Sequence, residues 1–193
     1  RLPDSQTGDI ELNAAGSITL SDSSLLNILS GQGNAGSINI NARDTVSLDI
    51  SRIYSTVRPT GVGNTGDINI TTGSLSLTNR AQLNSGTTGQ GNAGNVNINA
   101  RDTVSFDGSK IYNVVQSTGV GNAGEINITT GSLFVRGAGL GSFSNGQGNA
   151  GTVNINARDT VSFDNASVLT VGPSTGVGNA GDINITTGSF SLT

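Results

Sequence analysis

The residues best placed to do chemistry in this chain are its carboxylates. Thirteen Asp and Glu side chains stand against nine Lys and Arg, and His and Cys are absent. Without imidazole or thiol, the commonest general base and the thiol nucleophile are gone. What remains is acid chemistry, two or three carboxyl groups gathered about a glycosidic bond. Such a centre would interrupt whatever pattern surrounds it. Here nearly every carboxylate is copied instead: Asp44, Asp102 and Asp159 follow Arg43, Arg101 and Arg158, and Asp49, Asp107 and Asp164 close the same phrase. Only Asp4 and Asp22 stand clearly alone. The expectation is a chain without a catalytic centre and without a cofactor.

Amides are the other recurrent chemistry. Asn34, Asn64, Asn92, Asn122, Asn149 and Asn179 each follow a glycine in the phrase Gly-Asn-(Ala/Thr)-Gly. They are expected to stack as a structural ladder at a tight corner, bonding along the stack and to turn backbone. The glycines at both ends suit such a corner because Gly reaches positive φ at no steric cost. Asn39, Asn69, Asn97, Asn127, Asn154 and Asn184 lie between apolar residues, so they should point outward as a regular polar row. That row is either a solvated ladder or a glycan-facing surface. Thr71-Thr72, Thr129-Thr130 and Thr186-Thr187 suggest an ice-binding array, but Asn41-Ala42 and Asn99-Ala100 break it. Asn69-Ile70-Thr71 and Asn127-Ile128-Thr129 match the glycosylation pattern, which this composition produces by chance.

These residues recur because the chain recurs. The Gly-Asn phrase opens at Gly33, Gly63, Gly91, Gly121, Gly148 and Gly178, at spacings of 30, 28, 30, 27 and 30 residues. A fixed period of this size marks a repeat architecture. Two unit kinds alternate. One carries Asn-Ala-Arg-Asp-Thr-Val-Ser and spans 33–62, 91–120 and 148–177; the other carries Ile-Asn-Ile-Thr-Thr-Gly-Ser and spans 63–90, 121–147 and 178–193, with a degenerate copy at 5–32. The unit at 178–193 reads as truncated, and the whole as a slice of something longer.

Inside each unit apolar residues fall at every second position, the period of a strand. Ile38 and Ile40 flank Asn39; a second run follows after a turn (Val46-Ser47-Leu48, Val104-Ser105-Phe106); a third, looser one completes the unit (Ala81-Gln82-Leu83, Ser109-Lys110-Ile111-Tyr112). One such unit cannot bury its apolar face alone, so like strands must stack on like. The strands within a stack are then parallel, and parallel crossovers are right-handed in nearly all cases. The expected fold is all-β: a right-handed parallel β-helix of about 28–30 residues per turn, in six to seven turns. Turns of about 19 residues would also divide the double unit, but they would break the alignment of Asn over Asn and Ile over Ile. At ~4.8 Å per turn the rod would be roughly 30 Å long. The Arg-Asp copies would lie two turns apart, too far to converge on a metal, and each neighbouring pair would be worth ~0–1 kcal/mol at the surface.

Composition agrees. Only 33% of the chain is hydrophobic and 4% aromatic, too little for an ordinary globular core, yet charge is only 11%, unlike a disordered chain. Net charge is −4 and the basic residues are scattered, so a nucleic-acid partner is not expected. No apolar run is long enough to span a bilayer, and Arg1-Leu2-Pro3-Asp4 does not begin a signal peptide. An acidic, Cys-free chain rich in Asn, Thr, Ser and Gly fits a secreted bacterial surface protein.

The phrases at 89–107, Gly-Gln-Gly-Asn-Ala-Gly-Asn-Val-Asn-Ile-Asn-Ala-Arg-Asp-Thr-Val-Ser-Phe-Asp, and at 121–133, Gly-Asn-Ala-Gly-Glu-Ile-Asn-Ile-Thr-Thr-Gly-Ser-Leu, resemble the repeats of filamentous-haemagglutinin-type exoproteins. The large cyanobacterial members with a haemagglutination-activity domain are the most alike. The resemblance covers 5–193. It implies a right-handed β-helix, two-partner secretion through an outer-membrane partner, and a secreted or cell-surface location. That family's export domain carries Asn-Pro-Asn motifs, and none occurs here, so this segment would be repeat shaft. The expected function is a structural and adhesive shaft. The alternatives are an extracellular polysaccharide-binding surface and a fibre module that self-associates end to end through its terminal turns.

Overall fold

The computed structural model describes residues 7–174 and 177–193. Arg1-Leu2-Pro3-Asp4, where Pro3 cannot donate to a ladder and would suit the start of a capping turn, lies outside them. All regular structure is β, and every strand pairing is parallel. The first two turns each have three strands: β1 (Ile10–Ala14), β2 (Ile18–Ser21) and β3 (Ser24–Leu29), then β4 (Ile38–Ala42), β5 (Thr45–Asp49) and β6 (Arg52–Val57). Thereafter the first two runs fuse into one long strand per turn. These are β7 (Ile68–Thr78), β9 (Val96–Asp107), β11 (Ile126–Arg136), β13 (Val153–Asp164) and β15 (Ile183–Leu192). They alternate with β8 (Gln82–Thr87), β10 (Lys110–Val115), β12 (Gly139–Ser144) and β14 (Ser167–Val171).

Two sheets result. The first holds nine strands, β1-β4-β7-β9-β11-β13-β15 with β2 and β5 alongside; the second holds six, in the order β14-β12-β10-β8-β6-β3. Six strands in the second sheet mean six completed turns, with β15 opening a seventh. One unit is one turn: Ile40 pairs with Ile70, Ile70 with Ile98, Ile98 with Ile128, Ile128 with Ile155 and Ile155 with Ile185. The shorter turn is thereby excluded. From Ile40 to Ile155 this column is at most 2% exposed, while Ile185, against the open end, is half-buried. Parallel columns run through Val46, Leu75, Val104, Leu133 and Val161, and through Ile53, Leu83, Ile111 and Leu140.

The expected turn between first and second runs is, from β7 onward, a bulge inside one strand. Thr72 and Ser74 oppose Ala100 and Thr103, so the single residue Gly73 faces the pair Arg101-Asp102. The same one-against-two match recurs at Gly131. A Cβ on Gly73 would lie 2.9 Å from Arg101 Nη2, and one on Gly131 would lie 2.9 Å from Arg158 Nη2. At Gly73 and Gly131 a Cβ would also meet the carbonyl oxygens of Asp44 and Asp102 at 2.4 Å, so the glycine corner fits between the Arg-Asp corners on either side of it.

The glycine expectation holds for only half of the Gly-Asn-Ala-Gly motif. Its first glycine does take positive φ, 145° at Gly63 and 135° at Gly91. Its last does not; a Cβ on Gly94 would overlap the carbonyl oxygen of Gly66 one turn below. That position needs glycine because the backbones stack closely there.

Candidate functional site

The two asparagine rows bond in different ways. In the row predicted as a corner ladder, the side-chain oxygen of each Asn accepts the backbone N–H of the Asn one turn on. Asn34 Oδ1 accepts from Asn64, Asn64 from Asn92, Asn92 from Asn122, Asn122 from Asn149 and Asn149 from Asn179, all at 2.8–2.9 Å. These are side-chain-to-backbone rungs. Asp67 and Asn95 do the same a few residues later, for Asn95 N–H at 2.7 Å and Glu125 N–H at 2.9 Å. Their mixed identity concealed this row in the sequence.

The amide-to-amide ladder is the outward row. Asn69 Nδ2 donates to Asn39 Oδ1, Asn97 to Asn69, Asn127 to Asn97, Asn154 to Asn127 and Asn184 to Asn154, at 2.8–3.0 Å. Each inner amide thus spends one N–H and one lone pair on its neighbours, which leaves one N–H and one lone pair for any ligand. The paired Thr residues divide between inside and outside. Thr71 and Thr129 are exposed, whereas Thr72 and Thr130 are buried, and Thr130 Oγ1 donates to the Ser132 carbonyl at 3.2 Å.

The Arg-Asp dipeptides pair as expected, at 3.0 Å for Arg43–Asp44, 2.8 Å for Arg101–Asp102 and 2.7 Å for Arg158–Asp159. Hydrogen bonding from the adjacent guanidinium holds the Asp44 and Asp159 carboxyls below the usual range. A fourth pair, Arg136–Asp164 at 3.3 Å, joins adjacent turns. Among the described residues no three carboxylates gather closely enough to hold a metal ion.

The face that breaks the repeat is the outside of the second sheet. Its inner side is regular. Asn27, Ser55, Ser85, Asn113, Ser142 and Thr170 form a column, five of them buried. They clip the sheet to the Gly-Asn segments opposite: Ser142 Oγ donates to the Gly124 carbonyl at 3.0 Å and accepts Gly151 N–H at 2.7 Å. Asn113 within this column, and Thr87 and Ser144 beside it, each keep one buried side-chain oxygen without a protein partner.

Outside, successive turns present Leu26, Tyr54, Asn84, Tyr112, Gly141 and Leu169 in one register row. Ser24, Arg52, Gln82, Lys110, Gly139 and Ser167 form the row beside it. The Phe143 ring covers Gly141 and the Tyr112 hydroxyl end lies over Gly139, the two rings meeting edge to face at 5.4 Å. Lys110 Nζ sits 5.8 Å from the centre of the Tyr112 ring. Tyr54 donates its hydroxyl to Gln82 Oε1, and burial pushes that phenol's pKa up. A groove of about 170 Å³ opens where Gly86 provides no side chain, between Tyr54, Thr56, Asn84, Val114 and Gln116.

Such all-β, repeat-built architecture defines a parallel β-solenoid. Comparison with protein families, with characterised proteins and with solved structures finds no match.

Proposed function

We propose that this segment is the shaft of a secreted or cell-surface adhesin of the haemagglutinin-like kind, exported by two-partner secretion. The observation that carries the reading is continuity. Strand register, the core columns and both asparagine rows run along the axis from turn to turn through changes of unit kind. A body whose strand-pairing hydrogen bonds run along one axis resists bending and extends by addition of turns. The protein's mechanism on this reading is geometric: length, stiffness and a long lateral surface. Likeness of the phrases at 89–107 and 121–133 to haemagglutinin-type repeats supports the extracellular setting.

Duplicating 91–147 in the full chain tests this. Two added turns should lengthen the rod by ~9–10 Å in solution scattering, keep a single melting transition, and leave attachment of cells displaying the protein intact. A longer, folded rod that no longer supports attachment would overturn the shaft reading, because function would then depend on one fixed constellation.

A further inference from the structure

The charges are segregated. Thirteen carboxylates belong to the whole chain, yet none lies on the third-run strands β3, β6, β8, β10, β12 and β14. Two of the nine basic residues do, Arg52 and Lys110, and Arg58 directly follows β6; all three are exposed. Among the described residues none of the three takes part in an ion pair, whereas Arg43, Arg101, Arg136 and Arg158 on the first sheet are all paired. Carboxylates also stand at the corner before this sheet: Asp49 accepts from Thr78 and Asn79 and Asp164 pairs with Arg136, while Asp22 and Asp107 stand at the same corner of their own turns. In a chain of net charge −4 this is a cationic, aromatic-bearing strip on an otherwise acidic rod.

The geometry points to this strip as a binding face for an acidic polysaccharide of the uronate type, lying along the rod axis. Three features select that occupant. Tyr54, Tyr112 and Phe143 offer aromatic surface that packs against the C–H faces of sugar rings. Asn84 and Gln116 supply amide donors and acceptors for hydroxyls around the groove beside Gly86. Arg52 and Lys110 are separated in register by neutral Gln82, so they stand two turns apart, ~9–10 Å. Single cations at that spacing match isolated carboxylates along a chain better than the dense charge of a sulfated one. This goes beyond the shaft reading and does not depend on it, since a spacer requires no ligand on its side.

Titrating the full chain with polygalacturonate, read by calorimetry at low and moderate salt, decides the matter. Binding should weaken as salt screens the cations. Lys110→Gln and Arg52→Gln should each weaken it about threefold to fivefold. Arg158→Gln makes the same charge change on the other sheet and should leave affinity unchanged. Tyr112→Leu should also weaken binding while circular dichroism shows the fold retained. Fully methyl-esterified polygalacturonate and poly-glutamate should both bind far less tightly. The inference is overturned by absence of polygalacturonate binding, by equal effects of all three charge variants, or by poly-glutamate binding as well as the polysaccharide. The last would mark the strip as a docking surface for acidic protein.

Discussion

A single step along the chain leads from a core side chain to a regular surface one. Ile98 is 2% exposed between Ile70 and Ile128, while Asn97 beside it faces out and is bonded to Asn69 and Asn127. Ile98→Asp would place an uncompensated carboxylate in the apolar column and should cost several kcal/mol. Asn97→Asp keeps the acceptor that Asn127 uses and loses only the donor to Asn69 Oδ1, a cost of about 1 kcal/mol. Thermal melts of both variants check this; equal losses would contradict the inside–outside assignment. The columns were legible in the sequence because two periods, alternate residues and 27–30 residues, coincide at the same Ile and Val positions. Which Asn row forms the amide ladder was not legible. Both rows repeat equally well, and only the local backbone direction decides whether an amide meets a neighbouring amide or a neighbouring N–H.

At the scale of the element, the informative features are corners. Between second-run and third-run strands each turn has a residue at positive φ: Asp22, Ile50, Asn79, Gly108, Gly137 and Asn165 follow one another in register. Gly and Asn suit that conformation, but Ile50 at φ 51° is β-branched, where the left-handed region costs roughly 1–2 kcal/mol. It is also half-exposed, so little packing is lost on replacement. Ile50→Asn, which copies Asn79 and Asn165, should raise the melting temperature by a few degrees; a fall would show that Ile50 makes contacts outweighing its strain. The pairing of the Arg-Asp corner with bare Gly73 and Gly131 escaped the sequence for a related reason. It is a relation between units, visible only once they are stacked.

The Arg-Asp corners also contribute a small acid sensitivity. Asp44 and Asp159 have carboxyl pKa values lowered by their arginines, so their contribution is complete above the unfolded-state value of about 3.9 and is lost as pH falls through the folded value. With no His and no Cys, no side chain has an ordinary pKa between pH 5 and 8. Melting temperature should therefore be flat from pH 8 to 5 and decline only below about pH 4. A transition near pH 6 would contradict this.

At the scale of the whole molecule, the chain divides its labour between two sheets. The first repeats closely, its outer side varying mainly in the alternation of Arg-Asp and glycine corners. The second repeats inside, through Ile53, Leu83, Ile111 and Leu140, and varies outside, through Tyr54, Asn84, Tyr112 and Gly141. That outer face was illegible in the sequence because its residues share no motif; they become a surface only when six turns place them side by side.

Everything here rests on one unit making one turn, and the absence of native cysteine allows a direct test. Thr71 and Asn99 are paired in register on the exposed side of β7 and β9, whereas Asn41 and Asn99 are separated by the intervening turn. Neighbouring turns bring Cα atoms to ~4.8 Å, within disulfide range, and the skipped turn to ~9–10 Å, beyond it. Under mild oxidation Thr71→Cys with Asn99→Cys should cross-link within the monomer in high yield, and Asn41→Cys with Asn99→Cys should not. Cross-linking of the second pair, or failure of the first in a folded protein, would contradict the one-unit, one-turn solenoid.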